Sequence, residues 1–122
     1  MQVLKFGGSS VADAQNMSKV VDIVIKAVDR DRTILVVSAI SGCTDTLIKI
    51  GTLASERDES YKTLIDNLQQ RHHDIINDLL PREKQNESLA VCDSLFDSLR
   101  SIARTSTSAP TDAVRSTMTC FH

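Results

Sequence analysis

Lys5, Gly7, Gly8, Ser9 and Ser10 follow one another almost without interruption. A cation, two backbone units without side chains and two hydroxyls at one point make a site for an anion, phosphate above all. Lysine holds phosphate oxygens as a mobile point charge. Glycine lets the backbone turn sharply and come close to a ligand. The pattern is neither Gly-x-x-x-x-Gly-Lys-Ser/Thr nor Gly-x-Gly-x-x-Gly, so neither usual nucleotide fingerprint applies. An ordinary strand, turn and helix with a snorkelling lysine would use the same residues, and the spacing alone leaves both readings open.

A second group of small and hydroxylic residues is Ser38-Ala39-Ile40-Ser41-Gly42-Cys43-Thr44-Asp45. Such residues permit close backbone approach. Thr44 before Asp45 at a helix start is also what a simple cap looks like. Cys43 reads as a small space-filling residue, because a reactive thiol needs a lowered pKa. His72 and His73 are neighbours on a helix, where adjacent side chains point apart, so the pair is not read as a metal site. Asp13, Asp22 and Asp45 show no spacing that requires a metal ion or a base.

The elements that must position these groups follow from periodicity. Val3, Leu4 and Phe6 form a short buried strand, with Lys5 inside it, where a charge is costly without a partner. Ser10 and Asp13 fit a capping box, which starts a helix near Val11 and carries it to Asp29. The helix N-terminus would add its dipole to the anion site. Its buried stripe is Met17, Val20, Val21, Val24 and Val28. Thr33 to Val37 is a continuous β-branched and aliphatic run, typical of a strand covered on both faces. Strand, helix and strand in this order make a βαβ unit with a parallel pair and a right-handed crossover. Ligands bind outside the carboxyl ends of such strands, so Gly7-Gly8 and Ser38-Ala39 should face one crevice.

A second helix carries Leu47, Ile48, Ile50 and Leu53. A third presents Tyr61, Leu64, Ile65, Leu68, His72, Ile75, Ile76 and Leu79 on one face and stops at Pro81. A fourth turns Leu89, Cys92, Leu95, Phe96, Leu99 and Ile102 inward. The third and fourth should pack as an antiparallel hairpin. From Ala103 the Ser/Thr-rich sequence loses its apolar period, and residues 103–122 are expected to be loop or disordered.

The 122 residues carry a net charge of −2, with 41% hydrophobic, 25% charged and 3% aromatic residues. These values suit one globular domain. They give no electrostatic case for nucleic acid or anionic membrane, and few platforms for base stacking. No stretch is long and apolar enough to cross a bilayer, and no signal peptide pattern opens the chain. Cys43, Cys92 and Cys120 lack paired spacing and fit free thiols in a reducing cytoplasm.

The run Lys5-Phe6-Gly7-Gly8-Ser9-Ser10-Val11-Ala12 resembles the N-terminal signature of aspartate kinases, within the amino acid kinase family. Val36-Val37-Ser38-Ala39 and Gly42-x-Thr44-Asp45 resemble the same family's second strand and substrate loop. The resemblance implies the N-terminal part of a three-layer αβα sandwich with parallel strands, plus a helical hairpin. It implies an enzyme that moves the γ-phosphoryl group of ATP, with Mg²⁺, to the side-chain carboxylate of L-aspartate, at the head of lysine, threonine and methionine synthesis. By the same resemblance Lys5 is the catalytic cation, and Lys5, Phe6, Gly7, Gly8 and Ser9 bind the nucleotide. Ser38, Ala39 and Thr44 would bind the substrate, and the full-length protein would be a homo-oligomer.

The resemblance covers residues 1–102. The long helical stretch is similar to that of fused aspartate kinase–homoserine dehydrogenases. The Ser-Phe-Gly-Glu-like motif, the later substrate-clamping arginine and the nucleotide-base half of the sheet are missing. The expectation is therefore a fragment without kinase turnover of its own, with 103–122 as a tail foreign to the family. A kinase of the same superfamily acting on another small carboxylate or a carbamate, and a non-catalytic anion-binding βαβ module with a helical interaction surface, are the alternatives.

Overall fold

The computed structural model describes residues 1–106. It divides into two compact units, Met1–Gly42 and Cys43 onward. Most of the segment expected as a tail therefore lies outside the described residues.

The first unit is a βαβ. Strand β1 (Gln2–Phe6) pairs in parallel with β2 (Thr33–Val37), with Gln2 opposite Thr33 and Phe6 opposite Val37. Helix α1 (Ala14–Arg30) crosses between them, after a short 3₁₀ turn at Gly8–Val11. Alternation along β1 sends Gln2, Leu4 and Phe6 to one face and Val3 and Lys5 to the other. Gln2 fastens the first face to α1, since its Nε2 donates to Ala27 O at 2.8 Å and to Thr33 Oγ1 at 3.0 Å. The terminal ammonium pairs with Asp31 at 2.8 Å.

Several expectations change here. α1 begins at Ala14 rather than near Val11, and its cap is Asp13 rather than Ser10. The Asp13 carboxylate accepts from Asn16 N at 2.8 Å and from Asn16 Nδ2 at 3.2 Å. Asp13 supplies the capping acceptor from its own side chain, so no reciprocal box forms around Ser10. Val20 is buried as expected and Ala27 joins it, but Val21 and Val28 stay 47% and 56% exposed. The β2 run is not covered on both faces either, because Ile34, Leu35, Val36 and Val37 are all exposed. A parallel pair with one crossover helix has cover for one face only. Lys5 is likewise exposed, so it meets no burial cost.

The second unit is helical: α2 (Cys43–Ser55), α3 (Tyr61–Leu79) and α4 (Arg82–Thr105). Leu47, Ile50, Ile65 and Leu99 form its fully buried centre, with Ala54 and Ala103 filling the remaining space. α3 and α4 pack as the expected hairpin, turning at Leu80 and Pro81. Arg100 ties them by donating to Asp66 Oδ1 at 2.7 Å and Gln69 Oε1 at 2.6 Å. Leu95 is not inward as expected; it is 53% exposed. α4 also continues to Thr105, past the expected end at Ile102. Among the described residues no helix is long and apolar enough to cross a membrane.

Candidate phosphate site at the strand ends

The parallel register decides what meets at the carboxyl ends. Phe6 stands opposite Val37, and Ser38 N donates to Phe6 O at 3.1 Å, which carries the ladder one step beyond the strands. Gly7 and Ser38 therefore leave the sheet side by side. The chain then folds into the 3₁₀ turn, held by Ser10 N donating to Gly7 O at 3.1 Å.

The two glycines have different surroundings. A Cβ on Gly8 would lie 3.4 Å from Ala39 O, 3.4 Å from Ser41 Cα and 3.6 Å from Ser38 Oγ, which is van der Waals contact with the second loop. Gly7 has φ −79°, open to any residue, and a Cβ there would meet nothing within 4 Å. Neither backbone strain nor a neighbour in the protein requires glycine at position 7.

Lys5 projects from the face opposite α1, one residue before Phe6 at the strand end, and forms no ion pair among the described residues. Ser9, four residues on, is exposed as well. The structure thus gathers Phe6, Gly7, Gly8, Ser38 and Ala39 at one end of the parallel pair, with Lys5 and Ser9 flanking the turn. Thr44 belongs to the helical unit. It sits inside the first turn of α2, after Cys43, so it is not the cap that its sequence context suggested. Gly42, just before that helix, has φ 80°, a left-handed conformation that favours glycine.

Two features of this end escaped the sequence. The N-terminus of α1 already has the Asp13 carboxylate on one of its free amides. On the α1 side, a hollow of about 140 Å³ is lined by Phe6, Ser10, Asn16, Lys19, Val20 and Ile23. Lys19 is thus a second cation near the turn, one that the sequence reading passed over.

The donor set suits phosphate and not Mg²⁺ by itself. Both Asp13 carboxylate oxygens bond to Asn16, and no other carboxylate belongs to the residues gathered at the strand ends. A Mg²⁺ ion ordinarily needs one or two carboxylates besides substrate phosphates. Elsewhere, burial pushes the Cys43 thiol up from its ordinary pKa, which keeps it protonated and unreactive. His72 is partly buried, as its helical position suggested. Its Nδ1 donates to Leu68 O at 2.8 Å, its ring meets Phe96 edge-on, and desolvation depresses its pKa.

Comparison with known proteins adds an independent line. The sequence model described as the amino acid kinase family matches residues 1–111. The chloroplastic bifunctional aspartokinase/homoserine dehydrogenase 1 of Arabidopsis thaliana is 30% identical over 102 residues, which cover 84% of this chain and 11% of that protein. The Daucus carota bifunctional enzyme is 34% identical over 79 residues, covering 65% of this chain and 8% of that protein. The chain therefore spans only 8–11% of the length of these relatives. Among solved structures, Escherichia coli aspartokinase III in complex with aspartate and ADP superposes with a TM-score of 0.81 at 23% identity, covering 99% of this chain and 26% of that one. Its complex with lysine and aspartate gives 0.79. At that identity the likeness establishes the fold, an α/β arrangement of parallel strands flanked by helices, as in the expected sandwich.

Proposed function

We propose that this chain, which belongs to the amino acid kinase family, carries the phosphate-gripping part of an aspartokinase-type phosphotransferase. The reaction in view is transfer of the ATP γ-phosphoryl group to the side-chain carboxylate of L-aspartate. Phosphoryl transfer is chiefly positioning and charge stabilisation. In this reading Lys5 neutralises charge on the transferring group, and the amides of Gly7, Gly8 and Ser9 cradle the nucleotide phosphates. The Phe6 backbone lines the approach, Ser38 and Ala39 form the floor, and the Thr44 hydroxyl holds the aspartate. Mg²⁺ would accompany the nucleotide, with ligands other than the residues of this turn. The solved relative named for its aspartate and ADP supports that choice of substrates.

What supports the reading is the meeting of Gly8 with Ala39 and Ser41 at the strand ends, together with Gly7, where a Cβ would meet nothing in the protein within 4 Å. A phosphate approaching the turn would use that open space.

The test is titration of the purified chain with ADP, followed by backbone amide resonances. Shifts are expected at residues 5–10 and 38–41. Lys5→Ala removes a charge-assisted contact of about 1.5–3 kcal/mol, or roughly 10- to 100-fold in affinity. Gly7→Ala should leave the fold intact and weaken ADP binding. Absence of ADP-dependent shifts, or unchanged affinity in Lys5→Ala, would end the kinase reading. Equal displacement by inorganic phosphate would favour the anion-binding module. Turnover is expected to be absent in the chain alone; aspartate-dependent ADP release would show that the machinery is complete here.

A further inference from the structure

We propose that the α3–α4 hairpin holds a zinc site built from His73, Cys92 and Asp93, which brings three ligand types together from two helices. One ligand atom from each lies within 4.8 Å of the others. His73 Nε2 and Asp93 Oδ1 are already 2.5 Å apart. The inference is independent of the kinase reading, since it uses none of the residues at the strand ends.

Imidazole, thiolate and carboxylate together suit Zn²⁺ better than Mg²⁺ or Ca²⁺, which take oxygen ligands. Zinc bonds of about 2.0–2.3 Å in a tetrahedron separate the donor atoms by more than the present His73–Asp93 contact. The ion would therefore replace the proton between Nε2 and Oδ1, and the two side chains would part by under about 1 Å, a rotamer adjustment. Cys92 Sγ supplies the third bond and loses its proton to solvent. Water completes the set.

The surroundings hold one ligand in place. Asp93 Oδ1 accepts from Gln69 Nε2 at 2.8 Å, and Gln69 Oε1 in turn accepts from Arg100 Nη2 at 2.6 Å. Such an outer layer fixes ligand orientation. His73 comes from α3, and Cys92 and Asp93 come from the facing α4. Bound, the ion would staple α3 to α4 across their turn.

The experiment is Co²⁺ titration of the metal-free chain, with Zn²⁺ competition. A single equivalent is expected to give a thiolate-to-cobalt charge-transfer band and the visible bands of tetrahedral cobalt, both erased by Zn²⁺. Cys92→Ser should abolish the charge-transfer band, and His73→Gln should weaken binding at least tenfold. Gln69→Ala should cost about 10- to 100-fold through loss of ligand orientation. A Cys43→Ala/Cys120→Ala double variant should bind as the parent does. Failure to develop a cobalt–thiolate band, or a band that survives Cys92→Ser, would overturn the site and leave His73–Asp93 as a plain ion pair.

Discussion

Leu47, Ile50, Ile65 and Leu99 in the helical unit are at most 2% exposed, whereas Ile34, Leu35, Val36 and Val37 in the βαβ unit are 43–55% exposed. Both sets of residues are aliphatic. The difference lies in the number of surfaces each element must cover. A helix has one apolar stripe, and three helices can close those stripes on one another. A parallel sheet has two faces and two edges, and one crossover helix covers one face. Val3 and Lys5 share the uncovered face of β1, so the proposed catalytic cation stands on the less buried side of the less buried unit. In the proposed reading the phosphate-gripping groups lie at the strand ends, whereas the most deeply buried side chains belong to the helices.

The largest expected effect breaks this contrast if it fails. Ile65→Ala, at a site with 0% exposure, should cost about 2–5 kcal/mol in urea unfolding followed by helical circular dichroism. Val36→Thr, at 43% exposure, should cost under about 0.5 kcal/mol. Equal losses would mean that β2 is as much a part of the core as α3. A smaller effect sharpens the contrast. Asp13→Ala removes the α1 cap, worth about 0.5–2 kcal/mol. Faster amide exchange should appear in α1, with α3 and α4 protected as before. Uniform acceleration throughout would show one cooperative body instead of two units of unequal stability.

How much of this was legible in the sequence depended on how local the cause was. Thr33–Val37 and Tyr61–Leu79 were readable because β-branched runs and a period of 3.6 are local signals. The start of α1 was misplaced because Ser10 and Asp13 both suit a cap, and only the 3₁₀ turn decides between them. Val21, Val28 and Leu95 have helical spacing but stay about half exposed, and periodicity does not report what lies opposite a stripe. The meeting of Gly8 with Ala39 needed the register of two distant strands. The grouping of His73 with Cys92 needed the pairing of two helices. Neither is written in any single window of residues.

Acid gives the smallest and most local comparison. Each unit has an exposed carboxylate whose pKa is lowered by local hydrogen bonds. Asp31 is lowered first by its hydrogen bond to the terminal ammonium and then by the Arg32 amide; it accepts from Arg32 N at 2.7 Å. Asp58 is lowered by the Ser60 amide and hydroxyl, at 3.0 Å and 2.7 Å, just before α3. A folded pKa below the unfolded value means that the unfolded chain binds more protons as the pH falls. The stabilisation is therefore complete above the ordinary value of 3.8 and is lost as pH drops through each folded pKa. Amide exchange between pH 5 and pH 2 should show the start of β1 loosening with Asp31 and the start of α3 with Asp58. Asp58→Asn should flatten the acid dependence at α3 alone, and Asp31→Asn at β1 alone. If either variant flattened both, the protonation events would be coupled across the chain, and the independence of the two units would fail.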